Sequence, residues 1–457
     1  MHLTLLLALL IGTQVGLSDG LILPTLVAQH GGGSFLVLYA FLKLLFILPV
    51  LQAELVAGRL YRVTPFEFSF LVLNRTWARV AFAVLLCAVI FILSTNLFNT
   101  AWAIIFGMDG LSGDLLSLRP LDQNLYWFEQ SQNTNRIMSF VIGQSIMLML
   151  LGGLAWNGIA AIFLAVVPLL GLFILYCLPK FVPLFLSLSW PALGTDDVLA
   201  AMQHALTSSM VGLLVWYVLG TKVSDRMPTA RIIISVQLFD VLFGVALLSI
   251  SWNWIESLSS GTLEAGTVLR LLVTSLESST AVPLDTALWL IALVTVGLIS
   301  SLPLLLIVAQ ENSVALRQWL LSATVLVVVV LAGVLIWSNG TQSPLTWYGM
   351  PLYDVFQKLG QGVIIPLITA AIAVWIGWVV WPNRVLQQIN PHGGLRYFLW
   401  RLVLRFVVPV VLGLVFARAT ISLVAFNLAE VAVAIVCILV TARLVSWVRK
   451  RAIFPGL

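Results

Sequence analysis

The sequence predicts an all-α polytopic membrane protein of about twelve transmembrane helices with both termini in the cytoplasm. Three observations predict it. The 457 residues are 61% hydrophobic and 9% charged with a mean hydropathy of +1.08, whereas a globular chain carries about a quarter charged residues. The apolar residues gather into stretches long enough to cross a bilayer, and the basic residues between the stretches are abundant and scarce by turns. A soluble enzyme, a nucleic-acid binder and a disordered regulator are excluded, and the spans leave no room for a sizeable soluble domain.

In chain order the apolar stretches fall at 3–27, 34–57, 80–106, 137–155, 157–178, 196–220, 230–252, 284–309, 314–337, 355–381, 397–417 and 420–447. The first, Met1-His-Leu-Thr-Leu-Leu-Leu-Ala-Leu-Leu-Ile-Gly12, resembles a signal-peptide core. It has no Lys or Arg before it and no small-x-small cleavage site after it, and is expected to be a retained helix. Arg59, Arg62, Arg75, Arg79, Lys222, Arg226, Arg231, Arg317, Arg384, Arg396, Arg401, Arg405, Arg443, Arg449, Lys450 and Arg451 share one side. Arg119, Arg136, Lys180, Arg270 and Arg418 fall on the other, and this excess makes the first side cytoplasmic. The same flanking residues account for the net charge of +5 without an anionic partner. Cys87, Cys177 and Cys437 all sit inside apolar runs and form neither a disulfide framework nor a metal-ligand spacing.

Two spans contain polar, glycine-rich interruptions. The first reads Gly12-Thr-Gln-Val-Gly-Leu-Ser-Asp-Gly20 with Pro24 beyond it; the sixth reads Gln203-His-Ala-Leu-Thr-Ser-Ser-Met-Val-Gly212. Lipid tolerates such breaks only where protein or a water-filled cavity satisfies the freed backbone groups. Breaks at corresponding places of two five-helix halves point to an inverted-repeat transporter that binds solute and ions where the helices unwind. The bland alternative is a pair of kinked packing helices. Asp19 weighs against it, because an ionisable group at that depth is costly and by default functional.

The third span carries Ser94, Thr95, Asn96, Asn99 and Thr100, read either as interhelical hydrogen bonding or as a polar solute wall. His30, His204 and His392 have no metal-ligand spacing. His204 either caps a broken helix or carries a proton. Gly31-Gly-Gly33 has no Lys after it and reads as a tight extracellular turn rather than a phosphate cradle.

The run Val15-Gly-Leu-Ser-Asp-Gly-Leu-Ile-Leu-Pro-Thr-Leu-Val-Ala-Gln-His-Gly-Gly-Gly-Ser-Phe35 resembles the first-helix signature of the neurotransmitter:sodium symporters, in which Val-Gly-Leu-Gly-Asn, a proline and Gly-Gly-Gly-Ala-Phe keep the same spacing. Tyr39, Pro49, Glu54 and Gly58 match the second helix, Gly297-Leu-Ile-Ser-Ser301 the eighth, and Gln388-Ile-Asn-Pro-His-Gly-Gly394 with Arg405 and Pro409 the loop and eleventh helix. The resemblance implies the LeuT-type fold, a 5+5 inverted repeat plus two C-terminal helices. Residues 1–178 would form the first five-helix repeat, 195–382 the second and 395–449 the two additional helices.

Carried over by position, the resemblance implies a second sodium site from the carbonyls of Gly12, Val15 and Val296 and the hydroxyl of Ser300, with Ile299 where the family has Thr or Asp. It implies a first site from the Gln14 carbonyl, Asp19 in place of Asn, and Thr207, with Val236 where the family has Asn. Tyr39, Gln203 and Asp240 match the family's chloride site. There Asp240 either replaces the anion's charge or pairs with Lys43 in the second span. The solute pocket would be lined by Gln14, Leu17, Ser18, Asn96, Leu206, Thr207, Ser209, Val211 and Leu304, with Gly16 where monoamine carriers have Asp. Asp354 holds its place in the outer gate, Ile22 stands where the partner Arg belongs, and Lys358 is one turn beyond Asp354. Of the inner gate's N-terminal tail only Met1 and His2 precede the first span.

Asp19 beside the solute implies that the solute lacks a carboxylate, that Asp19 is protonated when an amino acid binds, or that solute binding is lost. The leading expectation is a secondary active transporter, not an enzyme, that symports a small amino acid or related organic solute with sodium, lies in a bacterial inner membrane and uses no cofactor beyond the coupling ion. The alternatives are a transport-inactive membrane subunit or sensor acting through a protein partner, and a proton-coupled carrier of an amine or other solute without a carboxylate.

Overall fold

The computed structural model describes residues 3–112, 126, 129–130, 132–154, 156–224, 228–256, 283–308, 314–340, 346–347, 350–380, 385–386, 389 and 394–421. Its helices are α1 Leu3–Gln14, α2 Leu17–Gln29, α3 Gly32–Tyr61, α4 Pro65–Val72, α5 Arg75–Gly110, α6 Thr134–Gly152 and α7 Gly158–Ser187. They continue with α8 Thr195–Ser208, α9 Val215–Gly220, α10 Thr229–Ile255, α11 Leu284–Leu305, α12 Arg317–Ser338, α13 Leu352–Val379 and α14 Tyr397–Arg418. Among the described residues nine helices are long and apolar enough to cross a membrane, or ten if α1 and α2 are one bent span. The pair α8 and α9 takes the expected sixth span in two pieces. The expected twelfth span, 420–447, lies almost wholly outside the described residues. The fold is all-α as expected; among the described residues Thr346–Trp347 and Met350–Pro351 pair antiparallel just before α13.

Local chemistry sets the boundaries. Thr64 caps α4 by accepting from the Glu67 N–H at 3.3 Å, while the Glu67 carboxylate accepts from the Thr64 N–H at 2.9 Å, a capping box. The expected outer turn is made by Gly31 and Gly32, whose φ of +96° and +58° suit residues without a Cβ, and the Gly33 N–H donates to the Ser189 carbonyl at 2.8 Å. The tight α3–α9 contact depends on two glycines: a Cβ at Gly58 would lie 2.0 Å from the Tyr217 carbonyl oxygen, and one at Gly220 2.3 Å from that of Leu55. Small residues let backbones approach in lipid, where no hydrophobic force drives helices together. Farther along, Arg401 donates to the carbonyls of Gly377 at 3.1 Å and Val380 at 3.3 Å, and Arg405 donates to Gly377 at 2.6 Å. The two guanidiniums thereby satisfy the last carbonyls of α13 and fix α14 against it.

Candidate functional site

Both sequence-marked interruptions are unwound. The axis bends by 46° between α1 and α2, and Gly16 between them is extended, at φ −139° and ψ 168°. The Gly16 N–H, which would extend α1 by bonding the Gly12 carbonyl, turns instead to Oδ2 of Asp19 at 3.3 Å. The second break, between α8 and α9, is tighter. Met210, Gly212 and Leu214 all have positive φ (+49°, +80° and +60°), and Glu54 of α3 accepts from the Gly212 N–H at 2.6 Å. A buried carboxyl thus satisfies one of the backbone donors released by the break. Gln14 joins the two breaks, its amide donating to the Ser208 carbonyl at 3.0 Å.

Between the breaks lies a cavity of about 40 Å³, lined from the first span by Gln14, Gly16, Leu17 and Ser18 and from the sixth by Thr207, Ser208, Met210 and Leu213. Ile92 and Asn96 of α5, Ser300 of α11, and Gln361 and Ile365 of α13 close it. A water occupies about 10–15 Å³ on this measure, so the space holds roughly three. Gln14 Oε1 is buried and has no hydrogen-bond partner among the described residues.

A buried charge cluster adjoins this space. Lys43 of α3, fully buried, donates from Nζ to the Tyr39 hydroxyl and to Ser208 Oγ, both at 2.8 Å, and forms an ion pair with Asp240 of α10. The Tyr39 hydroxyl donates to Asp19 Oδ1 at 3.4 Å and lies 3.2 Å from Ser208 Oγ. His204 places Nε2 4.0 Å from Asp19 Oδ1 and tilts its ring against that of Tyr39, with centroids 5.0 Å apart. Asp19, Tyr39, Lys43, His204, Ser208 and Asp240 are all buried. They bring together four spans, the first, second, sixth and seventh.

The residues expected to line the solute pocket divide. Gln14, Leu17, Ser18, Asn96 and Thr207 line the cavity, whereas Leu206, Ser209, Val211 and Leu304 are buried outside its wall. Ser209 turns its hydroxyl to Gln237 Oε1 at 3.4 Å. Asp19 also lies outside the wall, its carboxylate engaged by Gly16, Tyr39 and the Lys43 cluster. Of the residues matched to the second ion site, Gly12, Val15, Val296 and Ser300 are buried where α1 packs on α11, and Ser300 reaches the cavity. Of those matched to the anion site, Tyr39 and Asp240 meet through Lys43, while Gln203 is only half-buried. Asp354 and Lys358 stand one turn apart, the Lys358 N–H donating to the Asp354 carbonyl.

The polar patch of the third span divides. Ser94, Thr95 and Thr100 bond backbone carbonyls, Ser94 reaching Val328 of α12 at 3.5 Å as well as its own helix, whereas Asn96 faces the cavity. Asn99 donates to the Tyr353 hydroxyl at 2.9 Å, and Gln357 donates to the same oxygen at 2.9 Å. This neutral knot ties α5 to the first turns of α13, next to the position of the expected ionic gate. Sequence reasoning missed Ser208, Gln361 and Tyr353. Ser208 carried a signal, since it lies within the break, but Gln361 sits on a π-helical turn, Lys358–Ile364, that rotates it off the helical periodicity.

No protein family's sequence profile matches the chain, and no curated protein matches it in sequence. Among solved structures, that of MhsT in complex with L-phenylalanine superposes with a TM-score of 0.79, covering 92% of this chain and 98% of its own at 21% sequence identity. The chain is a multi-pass membrane protein with the LeuT-type fold.

Proposed function

We propose that the chain is a divergent neurotransmitter:sodium symporter, a secondary transporter that moves a small amino acid or related amine across the membrane by alternating access to the cavity between the two helix breaks. One observation carries the reading: two unwound segments, joined by Gln14 and Ser208, converge on a small polar cavity in the middle of the bundle. Free N–H groups at the start of α2 suit a carboxylate. The buried, unpartnered Gln14 Oε1 suits an ammonium. With Asp19 turned away from the cavity and faced by Lys43, a carboxylate on the solute meets less repulsion than the sequence suggests. MhsT, whose fold the chain shares, was solved with L-phenylalanine bound, which supports an amino-acid-like solute here.

Sodium is the coupling ion we favour, held by the carbonyls of Gly12, Val15 and Val296 with Ser300. The Gly12 carbonyl supports this assignment, because the Gly16 N–H that would occupy it in a continuous helix is bonded to Asp19. The test is thermal stability of the purified protein against amino acids, amines and betaines in sodium and in potassium, followed by uptake of any hit into proteoliposomes. Stabilisation by one solute in sodium, with sodium-driven uptake, is expected. Equal stabilisation in both salts, with uptake driven by a pH gradient, replaces sodium by protons. No stabilisation and no uptake of any solute, with a protein partner co-purifying in fixed ratio, overturns transport in favour of a membrane subunit.

A further inference from the structure

The Lys43 ammonium has a cation's surroundings. Its side chain is fully buried in the second span, on the π-helical turn Leu42–Ile47. Its three N–H bonds have three oxygen partners: the Tyr39 hydroxyl, Ser208 Oγ and the Asp240 carboxylate. A fourth oxygen-bearing group, Asp19, lies behind Tyr39 and feels the same charge. These oxygens come from the second, sixth, seventh and first spans, the number and variety that a hard metal cation gathers.

The residues matched to a first sodium ion do not fit one. Val236 offers no oxygen. Thr207 donates its hydroxyl back to the carbonyls of Gln203 and His204, both at 3.1 Å, within its own helix. Asp19 keeps a suitable carboxylate, but it is already bonded by the Gly16 N–H and the Tyr39 hydroxyl and shares its surroundings with the Lys43 ammonium and the His204 ring. A second cation there would face a fixed one across a poorly hydrated space. Asp240, in turn, needs no mobile ion to balance it, because Lys43 does so.

We propose that Lys43 is a tethered cation standing in for the first sodium ion, so that this chain binds at most one sodium, at the second site. The inference rests on the transporter reading for its purpose and on the cluster's geometry for its content. A mobile ion in this position would have to arrive and leave in every cycle. The tethered one holds the first and sixth spans together whether or not solute is present, and makes Lys43 a determinant of ion stoichiometry rather than a solute ligand.

The test counts sodium ions bound per chain with radioactive sodium on the purified full-length protein, which needs neither a solute nor transport. Wild type is compared with Lys43→Met, which keeps the apolar stem, and with Lys43→Met/Asp240→Asn, which removes one charge of each sign. Wild type is expected to bind no more than one ion. At least one variant is expected to bind one more than wild type, through Asp19, Tyr39 and Ser208, or to bind sodium about tenfold more tightly. Two ions bound to wild type overturn the proposal, as do folded variants of which none gains an ion or binds sodium more tightly. If neither variant folds, the wild-type count decides alone, with one or none in favour and two against. Absence of transport for every solute would sink the functional reading while leaving this count intact.

Discussion

Gln14 reaches from the last turn of α1 to the carbonyl of Ser208 on the last turn of α8, and this single bond of 3.0 Å joins the two broken spans at the edge of the cavity. Both partners are buried. Replacing Gln14 by Ala leaves a buried carbonyl without its donor and is expected to cost about 1–3 kcal/mol. Lowered thermal stability together with lost solute stabilisation is the expected result. An unchanged melting temperature would show that the two breaks are held together by other contacts.

Glu54 is expected to act as an acceptor rather than as a charge. Its Oε1 receives the Gly212 N–H at 2.6 Å. Glu54→Gln retains a carbonyl oxygen there and should keep near-native stability, whereas Glu54→Ala strands the N–H of a positive-φ glycine and should lose about 1–3 kcal/mol. Denaturation of both variants side by side in detergent separates the two cases, and equal loss in both would mean that the negative charge itself matters.

The α3–α9 contact should tolerate no side chain. Gly58→Ala and Gly220→Ala each force a Cβ into a backbone oxygen at 2.0 Å and 2.3 Å, so the helices must part. A loss of about 1–3 kcal/mol or more is expected. Gly143→Ala on α6, where a Cβ meets nothing within 4 Å, is the control and should be neutral or slightly stabilising, by up to about 1 kcal/mol from helix propensity.

Tyr353 is expected to hold the outer side closed. Its hydroxyl receives Asn99 from α5 and Gln357 from its own helix. Tyr353→Phe removes the shared oxygen and should shift the population towards outward-open states. The measurement is the labelling rate of a cysteine introduced by Asn96→Cys, in a background without the three native cysteines, using a membrane-impermeant thiol reagent from outside. A rise of about fivefold or more is expected, the size that roughly 1 kcal/mol of lost closure produces. A rate equal to that of the unsubstituted background leaves Tyr353 a packing residue.

What could be read from sequence and what could not follow from one physical difference. Lipid leaves the backbone few options, so apolar runs became helices close to their expected limits, and the polar runs around Gly16 and Gly212 became breaks. Lys43 and Asp240 could be paired from sequence because neither is stable alone in the bilayer. The cavity wall was only half visible. Leu206, Val211 and Leu304 share the chemistry of the true lining residues Leu213 and Ile365, and only the rotation of each helix decides which of them faces the space. Gln361 was hidden because a π-helical turn changes that rotation, and Tyr353 because its partner Asn99 lies on a distant span.

For the transport proposed above, the size of the cavity bears on how fast solute can be loaded. Room for a few waters is far less than any amino acid occupies, so a solute colliding with this closed form finds no berth. Capture must wait for the bundle to part around Gln14, Ser208 and Asn96. Association should therefore level off at a ceiling as solute concentration rises, set by how often the closed form opens rather than by diffusion.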